Sequence, residues 1–383
     1  MRTTRQSGAT APAARARAWV EVDLGALRRN AEALARRAAV PLLPMVKADA
    51  YGLGADAVVR ALEPLRPWGY GVATVEEGAA LRAGGVERPV LVFTPLLPET
   101  FPAARDARLT LALGDADAIR EWAGAGGPWH LNVDTGMGRA GVSWRDVAQL
   151  RDLARAHPPE GAFTHLHSAE RNDGSPEEQE RRFEEALRAL PARPPVVHVE
   201  NSPGIERRGS SPWTVVRPGV FLYGVGSGAG AALRPEPVAH LRARVVSLRD
   251  LRDGDTVSYG ATYRAVGPRR IATAALGYAD GYRRALSNRG AMLLHGRRAP
   301  VAGLVTMDMT MLDVTDVACA VGDVATAIGR DGPELLELDE VARTADMSPY
   351  ELLTGLRLRA ERLYADGPGG GFTAADAASA QRA

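Results

Sequence analysis

PLLPMVKADAYGLG, residues 41–54, opens with an apolar run, PLLPMVKA (41–48), that ends on a lysine and passes directly into a turn-like segment containing two glycines. The run is short and bounded by turn signals, so it reads as a strand. Similar runs follow at intervals: GYGVATV (69–75), PVLVFT (89–94), LTLAL (109–113), WHLNVDT (129–135), AFTHLH (162–167), VVHVEN (196–201) and VFLYGV (220–225). Amphipathic stretches such as 54–62, 76–83 and 144–156 separate most of them. Eight strand-plus-helix units predict a parallel (β/α)8 barrel over residues 18–237. An open doubly wound sheet is the structural alternative.

Upstream, Asp23 can cap a helix in which Leu24, Leu27, Ala31 and Leu34 recur at helical spacing. Residues 1–17 hold four arginines and no acid, and predict a disordered extension, with a transit peptide as the lesser alternative. Beyond residue 238 the pattern changes. LRARVVSL, TVSYG, IATAAL, AMLLHG, PVAGLV, TMLDVTD and DVATAIG succeed one another without long helices between them, which predicts a mostly antiparallel β-domain over 238–364. Short helices are expected near 338–345 and 349–356, and the Gly/Ala-rich end (365–383) reads as a flexible tail.

Composition narrows the function. A length of 383 residues calls for two domains, and a formal net charge of +1 sets up no field favouring nucleic acid or an anionic membrane. No apolar run approaches a membrane span, and the single cysteine, Cys319, excludes an internal disulfide framework and a thiolate-rich metal site. A cytoplasmic protein is expected. Of the 47 Lys+Arg residues only Lys47 is lysine, leaving 46 arginines. An ion pair at position 47 would accept arginine. A desolvated lysine can lose its proton and attack a carbonyl, which arginine cannot, so Lys47 reads as a group that holds an aldehyde cofactor as a Schiff base at the C-terminal end of the first barrel strand.

MVKADAYG (45–52) resembles the cofactor-lysine motif of the alanine racemases, the barrel-type pyridoxal-phosphate enzymes. The similarity runs on through AWVEVDLGALRRN (18–30), NVDTGMGRAG (132–141), THLHS (164–168), ENS (200–202), VRPGVFLYG (216–224), VSYGATY (257–263), GYADG (277–281) and TMDMTM (306–311). It spans about residues 18–364, and the order of the pieces makes it specific.

The resemblance implies pyridoxal 5'-phosphate as cofactor and racemisation of a small amino acid, L-alanine to D-alanine in the leading reading. Two bases would work on opposite faces of the α-carbon, Lys47 and Tyr259, the latter supplied by a second subunit of a homodimer with shared sites. It further implies that Arg217 bonds the pyridine nitrogen and that His165 lies near the ring. Tyr51, Ser202, Gly219 and Val220 would meet the phosphate, and Arg139, Met307 and Tyr278 the substrate. A related racemase acting on another small amino acid such as serine, a decarboxylase of the same fold in specialised metabolism, and an idle cofactor carrier are the competing readings.

Two patterns point elsewhere. Gly136, Gly138 and Gly141 spell a dinucleotide-type G-x-G-x-x-G, but after the fifth strand rather than the first, and with Arg139 in the loop. His165 and His167 alternate as metal ligands could, yet no third ligand is evident, so no metal is expected. Several positions depart from the family pattern: Leu53 replaces a histidine, Asn132 a commonly carbamylated lysine, and Leu304 and Thr306 an arginine and a small or thiol residue. Leu358 aligns where a tyrosine often reaches the phosphate. These changes leave the two-base machinery in place and bear on the size of the substrate pocket.

Overall fold

A computed structural model describes residues 17–228, 231–356, 359–367 and the backbone of 373–374. It divides into two compact units, Arg28–Glu236 and a second one that unites the residues up to Leu27 with those from Pro237 onward. The disorder expected of residues 1–16, most of the tail and position 358 lie outside the described residues.

The first unit is the barrel. Tyr70–Val72, Val90–Val92, Thr110–Leu113, Trp129–Asp134, Gly161–Phe163 and Val196–His198 are hydrogen-bonded in that order, every neighbouring pair parallel. Their Val- and Leu-rich runs are buried on both faces, the pattern of a sheet enclosed by helices. Three parallel bridges close the ring: Met45↔Gly71, Asn201↔Arg217 and Leu42↔Val216. Backbone bonds from Val46 N to Gly71 O (2.8 Å) and from Leu43 N to Val216 O (2.8 Å) accompany them.

The expected first and last strands are therefore redrawn. Residues 41–48 contribute only bridging contacts before the chain coils at Lys47–Tyr51. The eighth stave is 216–217, and VFLYGV instead forms the 3-10 helix Val220–Tyr223. Outside the ring run Ala55–Leu62, Val75–Ala83, Ala116–Gly124 and Ser175–Ala189. Thr74 and Asp115 cap two of them through their side-chain oxygens.

In the second unit Ala239–Leu251, 13 residues long, is the spine of the sheet. It pairs antiparallel with Arg269–Ala274, with Val324–Asp331 and with Ala18–Asp23. Ala18–Asp23 also pairs parallel with Glu361–Ala365. The barrel span expected from residue 18 is corrected here: that first strand belongs to the C-terminal sheet, because Trp19, Val20 and Val22 are buried in it. Asp23 then starts the helix Leu24–Ala38, its Oδ1 accepting from Ala26 N at 2.8 Å. Helices Leu338–Thr344 and Pro349–Gly355 stand where the sequence puts them.

Trp122 anchors the outer layer of the barrel unit. It is fully buried, edge-on to Phe101 with ring centroids 5.5 Å apart, and donates its indole N–H to Pro128 O at 2.8 Å. Trp122→Ala leaves a cavity and an unpaired carbonyl, and is expected to lower unfolding free energy by about 3–5 kcal/mol, read from urea denaturation.

Candidate active site

Lys47 opens a turn of unusual backbone. Ala48, Asp49, Ala50 and Tyr51 all have φ between 53° and 57°, and Gly52 follows at 91°. Left-handed conformation costs an L-residue about 1–2 kcal/mol, so four in succession persist only where surrounding bonds hold them. Glu77 Oε1 accepts from Ala48 N at 2.7 Å, Asp49 Oδ1 from Ala55 N at 2.8 Å, and Asp49 O from Gly54 N at 2.9 Å. The turn leaves Lys47 half-buried at the C-terminal end of the first stave. Burial lowers the affinity of its amine for a proton; Arg139 and Arg217 lower it further, and Glu77 opposes them.

Arg217, on the closing stave, is buried and fixed from several sides. Its Nη1 donates to His198 O and His198 Nδ1, both at 2.8 Å. Its Nη2 donates to Thr164 O (2.8 Å) and Val199 O (2.9 Å), with His165 Nδ1 at 3.4 Å. Phe93 and Phe163 flank the guanidinium at 5.8 and 5.4 Å. Burial pushes it down to about 9, so it remains a cation at neutral pH. Because arginine only donates, His198 Nδ1 must accept, which puts that ring's proton on Nε2. His198 Nε2 lies 2.8 Å from His130 Nδ1, so the next ring carries its proton on Nε2 as well. Both imidazoles are neutral, and the two tautomers follow from the arginine.

A third group gathers around Gly219. Ser202 Oγ, buried, accepts from Gly219 N at 2.9 Å and Phe221 N at 3.4 Å. A Cβ added at Gly219 would come within 2.7 Å of Tyr51 Oη, so a larger residue there would push the phenol aside. Val220 begins the short helix beyond it. Tyr51 stacks on Tyr223 at 4.7 Å, and Tyr223 Oη donates to Met45 O at 2.8 Å, tying the cluster to the lysine's own stave. A phosphate held here would take over the Gly219 N–H that Ser202 Oγ now accepts, in a space that glycine keeps open.

The glycine loop is occupied by its own strand. Asp134 accepts from Gly136 N at 2.9 Å and from Gly138 N at 3.1 Å, using the amides that a dinucleotide phosphate would need. Arg139 projects from this loop, exposed and without a hydrogen-bond partner among the described residues. Asn132 is buried beneath it, and a Cβ at Gly141 would strike the Asn132 carbonyl at 2.7 Å. Leu53 is fully buried in the core. His167 is exposed and bonds Ser168, and no group of three or more metal-ligating side chains forms among the described residues.

The remaining candidates lie in the second unit, where they gather on one rim. Tyr259 is 73% exposed on a turn with positive φ at Ser258, Gly260 and Ala261. Ser258 Oγ donates to Leu304 O at 2.8 Å, Tyr278 N to Thr306 O at 3.0 Å and Ala279 N to Met307 O at 3.1 Å. Thr306 spends its hydroxyl within its own turn, on Met309 O at 2.9 Å. Glu77, His198, His130 and Tyr223 were not singled out by sequence. Glu77 carried a weak signal, the Thr74-x-x-Glu77 capping pattern.

A buried-arginine barrel with a lysine on a strained turn and a phosphate-type cradle defines a class, the barrel enzymes that use pyridoxal phosphate. The alanine racemase N-terminal domain matches residues 22–227 and the C-terminal domain residues 238–364. The alanine racemase of Symbiobacterium thermophilum is 40% identical over 365 residues, 90% of this chain and 96% of the relative. The alanine racemase of Bartonella henselae with covalently bound pyridoxal phosphate superposes with TM-score 0.85 at 28% identity, covering 91% of this chain and 99% of that one. That of Bacillus anthracis with bound L-Ala-P gives TM-score 0.85 at 29% identity, over 95% of this chain and 98% of that one. The chain belongs to the alanine racemase family, pyridoxal-phosphate-dependent isomerases.

The histidines around Arg217, two buried and His165 half-buried, carry a pH consequence. His130 and His165 are each pushed down to about 3, and His198 well below its ordinary 6.5, by burial first and by Arg217 second. The folded state keeps them neutral while the unfolded chain binds protons below about pH 6.5. Their contribution to stability is thus present above that value and is lost as pH falls toward 3. Urea unfolding at stepped pH should show stability declining through this window, with a shallower slope in His165→Asn; equal slopes contradict the neutral buried state.

Proposed function

We propose that the chain interconverts L- and D-alanine with Lys47 and Tyr259 as opposed bases. The observation that carries this reading is the convergence on Lys47. The chain's one lysine sits on a strained turn, half-buried, in the same unit as the fixed Arg217 fork and the Ser202–Gly219–Tyr51 cradle.

These residues fit pyridoxal phosphate. Lys47 would hold it through its amine, Ser202, Tyr51 and the Gly219 and Val220 amides would take its phosphate, Arg217 would meet its ring nitrogen, and His165 would lie beside the ring. When bound, that cofactor withdraws electrons from the α-carbon of an attached amino acid. Lys47 Nζ, whose proton affinity is lowered by burial, takes or returns the α-proton on one face. Tyr259 Oη, from the partner subunit, serves the other. Arg217 keeps its proton, so the ring nitrogen receives a hydrogen bond rather than a full charge, a setting that restrains side reactions. Arg139, through its fork, and the Met307 amide, beside Tyr278, orient the substrate carboxylate.

A homodimer with shared sites is supported by the second unit's rim, where Tyr259 (73%), Met307 (52%), Met309 (44%) and Tyr278 (36%) are all exposed. No helix among the described residues is long and apolar enough to cross a membrane, and a cytoplasmic enzyme fits the lone cysteine.

Borohydride treatment followed by peptide mapping should place a reduced cofactor adduct on the peptide containing Lys47. Lys47→Arg should retain the fold, bear no adduct and lose turnover; full activity in that variant sinks the assignment. Tyr259→Phe should lower kcat by about 10²–10⁴-fold with the adduct intact. Mixing subunits of these two inactive variants should restore about a quarter of wild-type activity, because half the dimers are mixed and each mixed dimer has one intact site. No recovery on mixing argues against sites shared between subunits.

A further inference from the structure

We propose that Glu77 is a positioning residue for the lysine: one carboxylate both holds the backbone that presents Lys47 and fixes a negative charge at the residue next to it. This rests on reading Lys47 as the cofactor lysine. Glu77 stands third after Thr74, where a glutamate commonly folds back onto its own helix cap. Thr74 Oγ1 does accept from Glu77 N at 3.2 Å, but the carboxylate turns away from the cap. Its Oε1 accepts from Ala48 N at 2.7 Å and its Oε2 from Ala73 N at 2.8 Å. Ala48 directly follows the lysine and is the first of the four left-handed residues. Ala73 follows Tyr70–Val72, the stave bridged to Met45. One side chain thus clasps the ends of two neighbouring staves at the point where the strained turn begins.

The chemistry of the clasp selects a carboxylate. Both partners are N–H donors, so each oxygen must accept; a glutamine would turn its own N–H2 toward one of them. Electrostatics gives the same residue a second task. Arg139, from the loop after Trp129–Asp134, and Arg217, from the closing stave, both act against a proton on Lys47, and His165 nearby is neutral. Glu77 is a charge that favours the protonated form of that amine. Without it, the two guanidinium charges weigh more heavily against that proton.

The test uses the fact that no other lysine competes for an amine reagent. Full-length parent and Glu77→Gln proteins, freed of cofactor with hydroxylamine, are labelled with acetic anhydride across a pH series, and modification of Lys47 is read by peptide mass. The variant's labelling midpoint should move to lower pH by about half a unit, roughly a threefold change in the protonation constant. An unchanged or raised midpoint overturns the proposal. Should the variant not fold, hydrogen exchange in the parent holoenzyme decides. Slow exchange at both Ala48 N–H and Ala73 N–H is expected, and fast exchange at either overturns the clasp. The two readings fail separately: absence of a borohydride adduct on Lys47 removes the cofactor assignment, and leaves the labelling midpoint to judge Glu77.

Discussion

The buried guanidinium of Arg217 is the constraint on which the interior of the barrel depends. A cation without water must be surrounded by acceptors, and here they are three backbone carbonyls and a ring nitrogen, with two aromatic faces on its flanks. These bonds fix the ends of the strands that supply Thr164, His198 and Val199. They also dictate the tautomers of two successive histidines, and Gly161 must be glycine beside them because a Cβ there would meet the His130 ring at 2.5 Å. One side chain therefore organises a set of neutral imidazoles and aromatic rings around it.

Against that rigid floor the lysine rests on a segment that is locally unfavourable. Four left-handed residues would relax if freed, and they are kept by acidic side chains accepting from backbone N–H groups. The barrel thus combines a cation satisfied by carbonyls with a strained turn satisfied by carboxylates. Each supplies what backbone pairing cannot at the C-terminal ends of parallel staves, where groups able to do chemistry collect.

Much of this was legible in the chain. The eight-unit rhythm, the change of pattern near residue 238 and the singular lysine are all local in sequence, and the glycine decoy could be discounted by its strand and by Arg139. The edges were less legible. VFLYGV has the apolar character of a strand but follows Pro218 and Gly219, and it coils into a short helix. The true eighth stave is the shorter stretch just before it, whose pairing depends on partners some 175 residues away, as in Leu42 with Val216. His130 and His198 look like ordinary strand residues because their roles come from a contact between strands. Glu77 looks like a helix cap, and only the fold brings Ala48 and Ala73 to it.

The strand Ala18–Asp23 lies between Ala239–Leu251 and Glu361–Ala365, one partner from the middle of the chain and the other from near its far end. On a ribosome, this first strand emerges long before either neighbour exists, and it must wait while the whole barrel is made. Its buried Trp19, Val20 and Val22 stay without a home until Glu361–Ala365 has been made. That strand is therefore the segment most in need of protection while the barrel forms, and losing either neighbour strips an edge of the same sheet.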